Sequence, residues 1–262
     1  MKTTWLRQAA RLLGLLVFCF VALQLWFVGR IALMAVLDPQ STSFQRSEIW
    51  RLATERRGFE WRQQWVDDAR IAPSLKRAVI ASEDAAFIEH TGVDWDAIER
   101  AWERNQRAEA QAQRRNQRLD SRVRPGKAVG AAAPPARVEA KLVGGSTITQ
   151  QLAKNLFLSG ERTPVRKAQE FVLTFALEAL LPKRRILEIY LNNVEWGEGL
   201  FGAQAAAQHY FRVDAAQLGA FPAARLAVML PAPKRFEKRP GSPYVASRAA
   251  TVVARMGAVE LP

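Results

Sequence analysis

Acidic residues and a histidine are concentrated in one short stretch, EDAAFIEHTG at residues 83–92. Apolar residues at helical spacing after Pro73 predict a helix that has Glu83 at its C-terminal end. A carboxylate in such a place can act as a general acid or base. Acidic residues on helix surfaces are also common, so this stretch alone leaves a plain solvated carboxylate open.

A second polar stretch is GGSTITQQLAKN at residues 144–155, which combines two glycines with uncharged hydrogen-bonding side chains and Lys154. A helix entered through Gly144 to Thr147 can present free backbone N–H groups and hydroxyls to an anion. The alternative is an ordinary glycine turn with a Ser or Thr cap. Neither a G-x-S-x-G elbow nor a G-K-[ST] phosphate loop is present here, which argues against a serine hydrolase and a nucleotide cradle.

A third cluster, ERTPVRKAQE at residues 161–170, brings Arg162, Arg166 and Lys167 close to Glu170. The i, i+4 spacing of Arg166 and Glu170 places both on one face of a helix, where a surface salt bridge would explain the pair. Cations at this density also suit the binding of a phosphate group, because guanidinium and ammonium groups hydrogen-bond to its oxygens.

The composition is that of a globular chain with a strong excess of basic residues. It has 262 residues, 49% of them hydrophobic, and a formal net charge of +13, which suits a polyanionic partner. The single cysteine, Cys19, excludes an intrachain disulfide and a cysteine-based metal site.

An apolar run from Leu12 to Gly29 has Gln24 as its only strongly polar residue. As a helix of 1.5 Å per residue it would be about 27 Å long, close to the hydrocarbon thickness of a bilayer. Basic residues precede the run, so the positive-inside rule places residues 1–11 in the cytoplasm. We predict an uncleaved transmembrane anchor at residues 12–37; a cleaved signal peptide is the alternative.

The remainder divides into a membrane-proximal stalk at residues 38–70 and a mostly α domain at 71–262. An ordinary amphipathic helix is the alternative to the stalk. Helical patterns occupy Asp94 to Gln106 and three later segments, Gln169 to Leu181, Arg184 to Asn192 and Leu218 to Leu230. Residues 104–141 carry ten basic side chains and three acidic ones and predict a mobile basic loop, either attracted to anionic lipid or simply solvated.

Four motifs in order resemble those of the peptidoglycan glycosyltransferases, glycosyltransferase family 51. They are EDxxFxxHxG at 83–92, GGSTITQQLAKN at 144–155, RKxxE at 166–170 and RRILEIYLNNVEWGEGLFGAQAAAQHYF at 184–211. The resemblance extends from about residue 44 to residue 256. Few residues follow it, so the chain is similar to the monofunctional members and not to the bifunctional penicillin-binding proteins.

The resemblance implies an all-α, lysozyme-like fold and the polymerisation of lipid II into β-1,4 glycan strands. It assigns Glu83 as the general base and Glu170 as a second essential glutamate. Partial desolvation beside Phe87 would raise the pKa of Glu83 and make it a better base near neutral pH. It assigns the donor's pyrophosphate to four cations: Lys154, Arg162, Arg166 and Lys167. It places four polar residues in the cleft: Thr147, Gln150, Gln151 and Asn192.

The resemblance requires no cofactor. It leaves open whether Glu170 orients the cations or helps to bind a divalent cation, Mg²⁺ or Mn²⁺, at the pyrophosphate. The expected partners are lipid II, the growing glycan strand and the cytoplasmic membrane, together with other cell-wall synthesis proteins and without nucleic acid. The expected location is the inner membrane, crossed once, with the catalytic domain in the periplasm. A lysozyme-like hydrolase and a non-catalytic, membrane-tethered wall binder remain the alternatives.

Overall fold

A computed structural model describes residues 2–55, 58–122, 137–140, 144–161 and 163–262. Within these ranges the chain is mainly helical, with little sheet, which confirms the predicted all-α class. The helices are α1 (Lys2–Leu33), α2 (Ser43–Glu55), α3 (Pro73–Glu83), α4 (Trp95–Arg122), α5 (Ile148–Phe157), α6 (Pro164–Leu180), α7 (Lys183–Asn193), α8 (Ala203–Phe211), α9 (Ala220–Met229), α10 (Pro233–Phe236) and α11 (Pro243–Met256). Short 3-10 helices span Asp68–Arg70 and Ala215–Gln217.

A small three-stranded sheet accompanies the helices. Its strands are β1 (Arg62–Gln63), β2 (Glu195–Gly197) and β3 (Leu200–Phe201), arranged in the order β1-β3-β2. β3 pairs in parallel with β1 and antiparallel with β2. Strands of two or three residues are too short to show alternation in a sequence, which explains why no strand was expected.

The described chain divides into two compact units, residues 1–93 with 147–262, and residues 94–146. In the first unit, α3 packs against α9 and α11, and its Leu75 and Val79 are fully buried. Helix α5 packs against α2, α6 and α7 in the same unit. The three polar motifs on α3, α5 and α6 are therefore held by one hydrophobic core.

Residues 38–70 do not form a stalk. Instead α2 belongs to the first unit, with Gln45 and Leu52 buried at 0% and 1% exposure. The Gln45 amide donates to the side-chain oxygen of Asn193 at 3.4 Å. The alternative of an amphipathic helix describes this segment better, because a buried face explains its alternation of apolar and polar residues.

The predicted basic loop is also partly wrong. Helix α4 continues from Trp95 to Arg122, so the first half of residues 104–141 is helical. Alanine, glutamine and arginine dominate this half, and all three are strong helix formers, so the low content of large apolar residues misled the prediction. Residues 123–136 and 141–143 lie outside the described residues.

Helix α1 is long and apolar enough to cross a membrane between Trp5 and Leu33. Its last turns pack against other helices of the first unit: Ile31 is fully buried, and α1 packs against α6. Gln24 and Gln169 of α6 exchange two amide hydrogen bonds, at 2.9 and 3.2 Å. The one strongly polar residue of the apolar run is therefore satisfied by the helix that carries the RKxxE motif.

A cluster of charged side chains surrounds β2. Glu195 is 6% exposed, and the Nζ atom of Lys234 lies 3.5 Å from its Oε1 atom. Lys234 also pairs with the buried Glu48. Burial is the main cause that raises the pKa of Glu195 to about 7, with Lys234 opposing the shift and Glu48 adding to it.

We expect Glu195→Gln to remove part of the pH dependence of stability. The pKa of Glu195 is higher in the folded than in the unfolded chain, so its stabilising contribution is complete below about pH 4.5 and is lost as the pH rises through about 7. The free energy of unfolding of the variant, minus that of the wild type, should therefore increase by about 2 kcal/mol from about pH 5 to about pH 8. Thermal and denaturant unfolding in detergent at both pH values measure it.

Glu55→Gln is the matched control, because Glu55 pairs with Arg51 in the same region but is largely exposed. This control should change the stability equally at the two pH values. A Glu195→Gln variant whose stability difference from wild type does not change with pH would contradict the assignment.

Candidate active site

Glu83 is the last residue of α3, as the sequence predicts. Its side chain is half-buried, and its Oε2 atom accepts a hydrogen bond of 3.1 Å from the Nε2 atom of Gln151 on α5. Burial raises the pKa of Glu83, as expected; the adjacent Asp84 charge raises it further, while the hydrogen bonds from Gln151 and Ser82 lower it. These are the properties of a carboxylate that can accept a proton near neutral pH.

Asp84 ties the end of α3 to the start of α5. Its buried carboxylate accepts the backbone N–H of Ile148 at 2.9 Å through Oδ2 and contacts the Nε2 atom of His90 at 2.9 Å through Oδ1. The Nδ1 atom of His90 accepts the N–H of Gly92 at 3.1 Å, so the ring proton lies on Nε2 and is donated to Asp84. The acid and histidine of the first motif are thus used to place α5 beside Glu83.

Gly92 is required by the backbone at this corner. Its φ angle is +93°, and an added Cβ atom would lie 2.7 Å from Thr174 Cγ2 and 2.8 Å from Glu178 Cγ. Only glycine adopts this conformation readily and leaves room for α6. The glycine of the first motif therefore has a packing role.

The entry into α5 is a capped turn and not an open anion cradle. Thr147 caps the helix, its Oγ1 atom accepting the Gln150 N–H at 3.2 Å, and the Gln150 side chain accepts the Thr147 N–H at 3.0 Å. The Thr147 hydroxyl also donates to the carbonyl of Gly92 at 2.6 Å. Both side chains are buried, so they fix the start of the helix. This differs from the expectation that they line the cleft.

Asn192 is likewise an interior residue. It is fully buried, its Nδ2 atom donates to the carbonyls of Val66 and Glu188 at 2.9 Å each, and its Oδ1 atom accepts the Val66 N–H at 2.9 Å. With these groups engaged inside the protein, the side chain has no face toward a cleft. Asn192 joins α7 to the segment that follows β1, which corrects the predicted binding role.

The RKxxE motif forms a compact cluster on the first turns of α6. The Nη1 atom of Arg166 lies 2.9 Å from Glu170 Oε2, and Lys167 Nζ hydrogen-bonds to Glu170 Oε1. Glu170 is 4% exposed, whereas the Lys167 side chain is 40% exposed. The Nε atom of Arg166 is buried and has no hydrogen-bond partner among the described residues. An anion bound here would supply the missing acceptor.

The other two predicted cations are placed differently. Lys154 is exposed in the last turn of α5, one helical turn after Gln151 and so on the same side of the helix. Arg162 lies outside the described residues. The structure therefore brings together Glu83 with Gln151, and Arg166 with Lys167 and Glu170, and it places Lys154 on the helix that carries Gln151.

The described residues do not fit a metal ion held by protein ligands. Within these ranges no three acidic, histidine or cysteine side chains converge, and both Glu170 oxygens already accept from cationic groups. A divalent cation carried by a pyrophosphate stays a prediction.

Two contributors were not singled out from the sequence. Asp84 was visible only as part of the first motif, and Tyr190 only as an apolar residue of a helical pattern. Tyr190 is fully buried on α7 and donates its hydroxyl to Gln151 Oε1 at 3.0 Å. A phenol within an otherwise aliphatic helical face is the signal that could have indicated it, because buried tyrosine hydroxyls need a partner.

The geometry agrees with comparisons to known proteins. Residues 51–114 and 120–257 match the family described as Transglycosylase. The chain belongs to the transglycosylase family. A biosynthetic peptidoglycan transglycosylase of Burkholderia thailandensis is 46% identical over 259 residues, which cover 98% of this chain and 88% of that protein. One from Bordetella pertussis is 45% identical over 261 residues, covering 100% and 97%. The transglycosylase match includes every motif named above.

Proposed function

We propose that this transglycosylase polymerises lipid II into β-1,4 glycan strands during cell-wall synthesis. The observation that carries the proposal is Glu83, a half-buried carboxylate whose pKa is raised by burial and which accepts one directed hydrogen bond from Gln151. Family membership and relatives described as biosynthetic peptidoglycan transglycosylases support the substrate class.

In the proposed reaction Glu83 removes the proton from the 4-hydroxyl of the acceptor sugar. The freed oxygen attacks the anomeric carbon of the donor from the face opposite the pyrophosphate, so the new C–O bond is β as the α-linked bond breaks. The bonding electrons leave with undecaprenyl pyrophosphate, and the proton stays on Glu83 until solvent removes it. A hydroxyl is a poor nucleophile without such a base.

The Arg166 and Lys167 cluster suits the leaving group. Pyrophosphate departs as a stable anion, and fixed cations lower the free energy of the charge that develops on it. Glu170 holds both cations through its two oxygens and thereby orients them before substrate arrives. We favour this role for Glu170 over the binding of a divalent cation.

A lysozyme-like hydrolase is the second candidate, and the same cluster argues against it. Hydrolysis of a glycosidic bond needs a carboxylic acid that protonates the leaving oxygen. Both oxygens of Glu170 accept hydrogen bonds from cationic groups, which is the arrangement of an acceptor and not of a proton donor. Glu170 is therefore unsuited to be that acid.

The test incubates the purified full-length protein in detergent with labelled lipid II and separates polymer from monomer. Polymer that lysozyme degrades is the expected product. Cleavage of preformed glycan strands would instead establish the hydrolase, and binding without turnover of either substrate would establish a wall-binding protein. Parallel reactions with EDTA, Mg²⁺ and Mn²⁺ test the predicted divalent cation.

We further propose that α1 anchors the protein in the inner membrane with the catalytic domain in the periplasm. Basic residues before the apolar run support this orientation. The burial of Ile31 and Met34 in the hydrophobic core of the first unit supports retention of the helix, since a cleaved signal would leave the residues that surround them exposed. We expect N-terminal sequencing of the mature protein to find the terminus before α1. A new terminus near residue 36, or recovery with soluble periplasmic proteins, would contradict retention.

A further inference from the structure

Three side chains from three helices form a hydrogen-bonded chain that ends at Glu83. The Tyr190 hydroxyl on α7 donates to Gln151 Oε1 on α5 at 3.0 Å, and Gln151 Nε2 donates to Glu83 Oε2 at the end of α3 at 3.1 Å. Tyr190 is 1% exposed, so no solvent competes for its proton. The proposed base is thereby linked to a buried phenol that the reaction itself does not require.

The direction of each hydrogen bond in the chain follows from its chemistry. A phenol can donate to the amide oxygen of Gln151, and this leaves the amide nitrogen facing Glu83. The amide nitrogen only donates, so it stabilises the carboxylate form of Glu83. If the amide turned over, its oxygen would face Glu83 and would favour the protonated acid. In that turned-over orientation the phenol oxygen could accept from the amide nitrogen, but the buried hydroxyl proton would lose Gln151 Oε1, which is its acceptor in this structure. The Tyr190 hydroxyl therefore favours the orientation that suits a base.

We propose that Tyr190 is a positioning residue that fixes the orientation of the Gln151 amide and so keeps a hydrogen-bond donor on the Glu83 carboxylate. The proposal rests on the proposed function, in which Glu83 must be ionised to accept a proton. Burial raises the pKa of Tyr190 itself well above its usual value, so it remains a donor at neutral pH.

The other groups around Glu83 do not replace this donor. Asp84, next along the chain, adds a negative charge, and its two oxygens are engaged by His90 and the Ile148 N–H. The Ser82 hydroxyl lowers the pKa of Glu83 from the same helix. Lys154 lies one turn beyond Gln151 on α5. All of these groups remain when the Tyr190 hydroxyl is removed, so the amide orientation is the feature that changes.

The test is Tyr190→Phe in the full-length protein, which removes the hydroxyl and keeps the ring in the core. Rates on labelled lipid II are measured from about pH 5 to pH 9. A hydrogen bond of about 0.5–1.5 kcal/mol corresponds to a shift of roughly 0.4 to 1.1 pH units in the acidic limb. We expect the acidic limb of the pH–rate profile to move to higher pH in Tyr190→Phe. The rate of the variant should be ~2- to 13-fold below wild type on this limb and close to wild type on the alkaline plateau.

Two further variants keep the experiment decisive. Tyr210→Phe is the matched control, because the Tyr210 hydroxyl donates to the Trp196 carbonyl at 2.7 Å, away from Gln151, and its loss should leave the pH profile in place. Gln151→Met removes the donor to Glu83 and should shift the limb at least as far. Adding Tyr190→Phe to Gln151→Met should then produce no further shift, because the phenol acts through the amide.

A uniform loss of rate at every pH in Tyr190→Phe would overturn the proposal and leave Tyr190 with a packing role. An unchanged profile would overturn it equally. Titration of Glu83 by carboxyl ¹³C NMR, assigned by comparison with Glu83→Gln, reads the same shift without any turnover. An inactive wild-type protein would therefore count against the proposed function alone, while the NMR titration would still decide the role of Tyr190.

Discussion

Glu83→Gln is expected to fold like the wild type and to polymerise lipid II about 10² to 10⁴ times more slowly. The amide keeps the shape of the side chain, and its oxygen can still accept the hydrogen bond that Gln151 Nε2 makes at 3.1 Å. It cannot take the proton of the attacking hydroxyl, so the general base is lost. Single-turnover polymerisation of labelled lipid II and the melting temperature of the variant measure the two parts of this prediction.

Glu89→Gln is the matched control for the same charge change in the same motif. Glu89 is exposed six residues along the chain from Glu83, so its variant should keep the wild-type rate. A melting temperature unchanged in both variants assigns the difference in rate to chemistry. Turnover of Glu83→Gln near that of Glu89→Gln would remove Glu83 from the mechanism.

The helices that carry the site were predictable where capping and apolar spacing agreed. Pro73 and the apolar residues after it located α3 and put Glu83 at its end. The start of α6 was predicted five residues too late, at Gln169, although Thr163 and Pro164 form a standard cap and first turn. The apolar pattern of α6 begins later than the helix itself, because the charged side chains of Arg166 and Lys167 lie near its start.

The roles of the polar residues could not be obtained from the sequence in the same way. Asn192 and Thr147 have side chains suited to a binding cleft, yet their partners are Val66, 126 residues away, and Gly92, 55 residues away. Such partners exist only once the core has formed, so the choice between binding a substrate and holding the backbone is made by tertiary contacts. Gln151 differs from both because its amide reaches Glu83.

Arg166→Ala is expected to lower the polymerisation rate by about 10² to 10³, the usual loss when one fixed donor to a developing anion is removed. The guanidinium is held in place by Glu170 Oε2 at 2.9 Å, and its buried Nε atom lacks a partner among the described residues. Arg166→Lys should fall between, since an ammonium keeps the charge but not the fork of donors. Arg248→Ala, at an exposed position of α11, removes the same charge elsewhere and should keep the wild-type rate.

The double variant Arg166→Ala with Glu170→Gln separates the two roles left open for Glu170. If Glu170 acts by orienting Arg166 and Lys167, its loss lowers the rate less in Arg166→Ala than in the wild type, because only its contact with Lys167 is left to lose and the effects of contacting residues are not additive. If Glu170 binds a divalent cation instead, its loss multiplies the defect of Arg166→Ala, and EDTA abolishes the wild-type rate. We expect the first result, because the carboxylate already has a cationic group on each of its oxygens.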